Sequence, residues 1–92
     1  MQTFECSSER ADNAKRVAEV IQFTVCQLVD NPNEVKIDIK HGEQTTVLEL
    51  SVNKADFGKV IGKQGRNALA LRTILNCVGT RLKLRAVLIM LQ

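Results

Sequence analysis

Gly58-Lys59-Val60-Ile61-Gly62-Lys63-Gln64-Gly65-Arg66 is the stretch on which the reading of this chain turns. Apolar spacing predicts helix on both sides of it, a short one over residues 55–61 and a longer one over 66–78. Gly62 and Gly65 bracket two polar residues at the junction. Glycine lacks a β-carbon, so it accepts positive φ and lets another backbone approach. The second helix starts at once, and a helix N-terminus carries about half a positive charge that favours phosphate. Lys63 and Arg66 add full charges at the same place. A glycine-hinged cationic loop on a helix start is suited to holding a phosphodiester backbone.

The charge distribution points the same way. The net charge of +3 divides unevenly: residues 1–53 carry 5 basic and 9 acidic side chains, residues 54–92 carry 8 and 1. The second part therefore stands at +7, around the loop. Such a basic half points to a polyanionic partner. With only Phe4, Phe23 and Phe57 as aromatics, the site is no aromatic stacking platform. Cys6, Cys26 and Cys77 lack metal-ligand spacing and read as free thiols in a reducing compartment, those on helices acting as small apolar fillers. No apolar run suits a membrane span and no leader pattern opens the chain, so a cytoplasmic protein is expected.

The 92 residues are enough for one domain. Residues 1–8 read as a loose tail, with Phe4 as its one anchor, and residues 9–92 as the domain. A first helix over 9–30 has Ala14, Val17, Ala18, Ile21, Val25 and Leu28 on one face, with Ser8 or Asp12 as cap and Asn31-Pro32 as its end. Val35, Ile37 and Ile39 alternate with charged residues in a strand over 34–40. His41-Gly42-Glu43 makes the turn, His41 being exposed, and a second strand over 44–52 sets Leu48, Leu50 and Val52 on one face. Asn53 caps the short helix.

In the longer helix Ala68, Ala70, Leu71, Ile74, Leu75, Cys77 and Val78 share an arc, and Leu69 falls on the polar side. Gly79 is its expected stop. A third strand over 81–91 has Leu82, Leu84, Ala86, Leu88 and Met90 inward, while Val87, Ile89 and Leu91 make its outer face apolar as well. Two helices between the second and third strands let those strands run parallel. The expected class is α+β, in the order α-β-β-α-α-β, a three-stranded mixed sheet with helices packed on one face.

An enzyme is excluded on its motifs. A P-loop needs G-x-x-x-x-G-K-[ST] after a strand, but Gly65 leads into Arg66-Asn67 and a helix precedes the loop. No Ser/His/Asp set and no carboxylate pair surrounds it; Asp56 stands alone. No cofactor and no metal is expected. A protein-interaction module using the apolar faces is the rival reading.

The loop Val60-Ile61-Gly62-Lys63-Gln64-Gly65, followed by a helix with Ala68, Leu71 and Leu75 inside, resembles the KH domain. The element order resembles the type II arrangement. With its short length, the chain is similar to the small single-KH RNA-binding proteins of bacteria, the KhpA family. The resemblance implies single-stranded RNA binding, the G-x-x-G loop clamping the phosphodiester backbone of about four nucleotides. Carried onto this chain, it makes Lys59, Val60, Ile61, Gly62, Lys63, Gln64, Gly65 and Arg66 the RNA-binding residues. Gly62 and Gly65 would permit close approach, Lys63 and Arg66 would meet phosphate and Gln64 would offer its amide. Val60, Ile61 and Ala68 would wall the groove, and residues 47–50 would form its other rim. It further implies an RNA chaperone or post-transcriptional regulator that forms a homodimer, or a heterodimer with a larger KH-containing bacterial protein. A longer N-terminal tail and the uncharged Leu69 depart from the family pattern.

Overall fold

A computed structural model describes the backbone of residues 2–91 and the side chains of residues 10–91. The order is α1 (Gln2–Cys26), β1 (Lys36–His41), β2 (Thr46–Ser51), α2 (Phe57–Ile61), α3 (Arg66–Arg81) and β3 (Ala86–Leu91). Single turns of 3₁₀ helix at Pro32–Glu34, Lys54–Asp56 and Lys63–Gly65 join them. β1 and β2 pair antiparallel, and β2 and β3 pair parallel, giving the sheet order β1-β2-β3. This is the expected mixed α+β sheet, and β2 is its centre.

The core forms where the apolar stripes of α1 and α3 meet the inner face of the sheet. Val17, Ile21 and Val25 of α1 pack with Leu48 and Leu50 of β2, Leu71 and Leu75 of α3 and Leu88 of β3. Alternation along β2 leaves Thr46, Leu48 and Leu50 buried, with Val47, Glu49 and Ser51 half-buried on the other face. On β3 the same alternation leaves Val87, Ile89 and Leu91 40–45% exposed, on an edge strand. The apolar outer face is therefore uncovered rather than buried on both sides.

Element ends differ from the spacing-based expectations in five places. α1 begins at Gln2, so residues 2–8, expected as a loose tail, continue the helix; no glycine or proline separates them from Asp12. The expected packing of Phe4 concerns a side chain outside those described. α1 ends at Cys26 and not at residue 30, because the N–H groups of Gln27 and Leu28 donate to the Thr24 and Val25 carbonyls, three residues back, and tighten the turn. The first strand loses its start to the 3₁₀ turn at Pro32. The helix expected from residue 55 is a 3₁₀ turn followed by α2, with Asn53 capping as expected: its Oδ1 accepts from the Ala55 N–H at 2.8 Å.

The fifth difference is the end of α3. The helix continues through Gly79 to Arg81, and β3 begins only at Ala86. Gly79 is buried, and a β-carbon on it would lie 2.6 Å from the Leu84 carbonyl oxygen. It is a close-approach glycine and not a helix stop. The reversal is a Schellman motif: the Leu84 N–H donates to the Gly79 carbonyl at 2.7 Å, and the Lys83 N–H to that of Thr80 at 3.1 Å. Lys83 holds the left-handed position, φ 57°, which usually belongs to glycine. Ala70 and Cys77, at the rims of the expected apolar arc, are exposed, so Cys77 is no core filler.

Two substitutions at this reversal have opposite expected signs. Gly79→Ala drives a methyl group into backbone and destabilises the fold by about 1–3 kcal/mol. Lys83→Gly relieves the left-handed lysine and stabilises it by about 0.5 kcal/mol. Urea unfolding of both variants beside the parent measures each.

Candidate nucleic-acid interface

The loop between α2 and α3 takes its shape from Gly62. Its φ of 80° and ψ of 171° lie in a region that is essentially glycine-only. A β-carbon there would sit 2.6 Å from Asn67 Cγ. Asn67 uses that space to reach back over the loop, donating its Nδ2–H to the Lys59 carbonyl at 2.8 Å. Gln64 (φ 58°) and Gly65 (φ 74°) follow in left-handed backbone before α3 begins. Gln64 is the unusual member, since a non-glycine residue rarely sits there.

The two glycine amides are not open. Gly62 N–H donates to the Gly58 carbonyl at 2.8 Å, and Gly65 N–H to the Gly62 carbonyl at 3.1 Å. Among the described residues the Lys63 and Gln64 N–H groups donate to no other group of the protein. The glycines thus shape the loop, and the amides between them are the ones without a protein acceptor among the described residues. Lys63, Gln64 and Arg66 have exposed side chains. Among the described residues neither Lys63 nor Arg66 takes part in an ion pair. α3 carries no acidic residue in its first turn to offset its dipole.

The remaining loop residues do other work. Val60 is 1% exposed and belongs to the core, and Ala68 is buried too, so neither is a groove wall. Their side chains point inward because α2 and α3 must each seat one face on the core. Ile61 is half-buried beside the loop. Lys59 is engaged within the protein: its Nζ is hydrogen-bonded to Asp30 Oδ2 and lies 3.8 Å from Asp56 Oδ1.

Asp56, which stood alone in the sequence, is the acceptor that fastens the chain after α1 to the start of α2. It is 1% exposed and accepts hydrogen bonds from the N–H groups of Asp30 and Asn31 and from the Asn31 side-chain amide, at 3.0–3.3 Å. Burial pushes its carboxyl pKa up. The Asn31 amide, the two backbone donors and the Lys59 ammonium outweigh that and hold it below the ordinary 3.8. The hydrogen bond from Lys59 to Asp30, helped by both negative charges and opposed by burial, raises the lysine above 10.5.

The expected second rim at residues 47–50 is also corrected. β2 is the central strand, and Leu48 and Leu50 are at most 1% exposed, beneath the helices. The strand beside α3 at the sheet edge is β3. A cleft of about 180 Å³ runs between them, lined by Arg72, Leu75 and Asn76 of α3 and Ala86, Val87 and Leu88 of β3. Arg72 and Asn76 are one helical turn apart on the side opposite the core stripe. That spacing was visible in the sequence, but which strand faces it was not.

A family model described as "KhpA/KhpB, KH domain" matches residues 18–90. The chain belongs to that family. It is 47% identical over 74 residues to the RNA-binding protein KhpA of Aquifex aeolicus, covering 80% of this chain and 94% of that protein. It is 46% identical over 63 residues to the RNA-binding protein KhpA of Borreliella burgdorferi, 68% of this chain and 77% of that one. The RNA-binding protein KhpA of Chlamydia pneumoniae is 45% identical over 67 residues, 73% and 86% of the two chains. No solved structure matches. The KhpA relatives are named for RNA binding, in a family that is not enzymatic. The KH-domain match starts inside α1, so the first turns of that helix precede it. No described helix is long and apolar enough to cross a membrane.

The Asp56 anchor gives a pH dependence with a definite sign. Its folded pKa lies below its unfolded one, so its contribution to stability is fully present above the unfolded value of 3.8 and is lost as pH falls through the lower folded value. Chemical denaturation from neutral pH downward is expected to show the parent losing more stability across that window than Asp56→Asn, which has no such charge to neutralise.

Proposed function

We propose that the chain binds single-stranded RNA, its G-x-x-G loop clamping the phosphodiester backbone. The observation that carries this reading is the Gly62–Gly65 turn, in which two backbone amides have no protein acceptor among the described residues and the side chains of Lys63 and Arg66 are exposed. Phosphate oxygens would accept from the Lys63 and Gln64 N–H groups and from the Lys63 ammonium, with Arg66 and the α3 dipole adding attraction. Gln64 would contribute its side-chain amide. Bases would lie along the α3–β3 cleft, past Leu69, which is 66% exposed on the same side of α3 as Arg66 and Arg72. An aliphatic groove of this kind needs no aromatic stacking. The RNA-binding KhpA relatives support the same choice.

The wider role we assign is that of an RNA chaperone or post-transcriptional regulator in the cytoplasm. One small groove reads few bases, and a second KH domain would raise affinity through effective concentration. The outer face of β3, with Val87, Ile89 and Leu91 exposed at a sheet edge, is the surface offered for that pairing, as a homodimer or with a larger KH-containing protein.

The double substitution Lys63→Asp/Gln64→Asp tests the loop. Aspartate tolerates the left-handed backbone at position 64, and both glycines remain. Binding to a single-stranded RNA oligonucleotide should weaken by about tenfold or more, equivalent to about 1.4 kcal/mol, with the melting temperature little changed. Undiminished affinity in filter binding or fluorescence anisotropy would remove the loop as the site.

A further inference from the structure

We infer that Asp30 limits how tightly the site holds RNA: its carboxylate, delivered from the segment after α1, keeps Lys59 paired within the protein and out of contact with the phosphodiester backbone. This rests on the RNA-binding reading above. It adds a residue remote from the G-x-x-G loop in sequence that withholds a cation from that loop.

Lys59 stands at the base of the loop. Its carbonyl accepts from Asn67 in the first turn of α3 at 2.8 Å. The Gly62 N–H donates to the Gly58 carbonyl, so helical backbone runs from Lys59 to the first loop glycine. Three residues of helix advance about 4.5 Å. The four-carbon stem of a lysine spans such a distance, so the ammonium has the length to meet a phosphate held on the loop. It is instead hydrogen-bonded to Asp30 Oδ2 and lies 3.8 Å from Asp56 Oδ1.

The fold fixes Asp30 in that place. Asp56 Oδ1 accepts the Asp30 N–H at 3.3 Å, and Asp56 Oδ2 accepts the Asn31 N–H and side-chain amide at 3.0 Å each. Lys59 is three residues beyond Asp56. The contacts thus close a ring: the buried carboxylate holds the Asp30 backbone, and the Asp30 carboxylate holds the lysine one turn on. A phosphate arriving from solution competes with an acceptor already tethered beside the ammonium, and tethering favours the internal partner. Among the described residues the Asp30 carboxylate has no other hydrogen-bond partner, and it is 75% exposed. It comes from the acidic part of the chain, residues 1–53, and removes one charge from the basic part.

The ordinary reading of this pair is structural. It would fasten the segment after α1 to α2, and Lys59 would offset the dipole at the end of α2. An exposed ion pair contributes little stability. The two readings differ in what Asp30→Asn does. Under the structural reading RNA affinity stays the same or falls. Under the inference it rises, and the rise requires Lys59.

The experiment compares the full chain with Asp30→Asn, Lys59→Gln, Asp30→Asn/Lys59→Gln and Lys63→Asp/Gln64→Asp. Each is titrated with a single-stranded RNA oligonucleotide over a range of salt concentrations and melted in parallel. Asp30→Asn is expected to bind about three- to tenfold more tightly than the parent, with a log–log salt slope steeper by about 0.7 from one added phosphate contact, and with the melting temperature little changed. In the Lys59→Gln background the same replacement should leave the slope unchanged and give a smaller gain. Parental or weaker affinity in Asp30→Asn would overturn the inference. An equal gain in both backgrounds would also overturn it, because Asp30 would then act by repelling RNA and not through Lys59. So would tighter binding with an unchanged slope, because Lys59 would already meet RNA in the parent. If Lys63→Asp/Gln64→Asp loses binding while Asp30→Asn gains none, the loop reading stands and only the role of Asp30 falls. If every variant binds as the parent does, both fall.

Discussion

The absence of one β-carbon governs the loop between α2 and α3. At Gly62 the chain leaves α2 through backbone angles that a side chain would forbid, and the space left is filled by Asn67. Asn67 then holds the Lys59 carbonyl, so the first turn of α3 is latched to the last turn of α2. Behind that latch Asp56 grips the segment after α1. The loop is exposed, yet it hangs between two fixed points. Tertiary contacts thus order the loop in advance of any ligand, which lowers the entropic cost of binding one.

The surface around the loop departs from what helix energetics alone would choose. Arg66 stands in the first turn of α3, where a cation meets the positive end of the dipole at a cost of about 0.3–1 kcal/mol. Gln64 and Lys83 both take left-handed backbone that glycine would take more readily. All three side chains are exposed.

β3 divides the sheet into two kinds of face. Its inward residues complete the core, while Val87, Ile89 and Leu91 lie opposite Val47, Glu49 and Ser51 of β2. The charged outer face of β1 thus gives way to an apolar margin at the sheet edge. Val87 borders both the α3–β3 cleft and this outer margin, so the two surfaces meet at that residue.

Periodicity alone carried much of the architecture. The apolar stripe of α1, the alternation of β1 and β2, the Asn53 cap and the G-x-x-G junction follow from spacing and from what glycine permits, because a helix or strand with one apolar side has one way to face a core. Spacing could not tell a buried close-approach glycine from a helix stop at Gly79, since the difference lies in Leu84, a residue that arrives from beyond the turn. Nor could it show that Asp56 would meet Asp30 and Asn31, some 25 residues away in sequence, or that Lys59 would be drawn into that cluster. Which strand borders the cleft beside α3 depended on the sheet order, and β1-β2-β3 gives that place to β3. Local sequence determined the elements and the hinge. Only the packed fold decided which charges stayed free, because pairing and burial depend on neighbours that the chain brings together last.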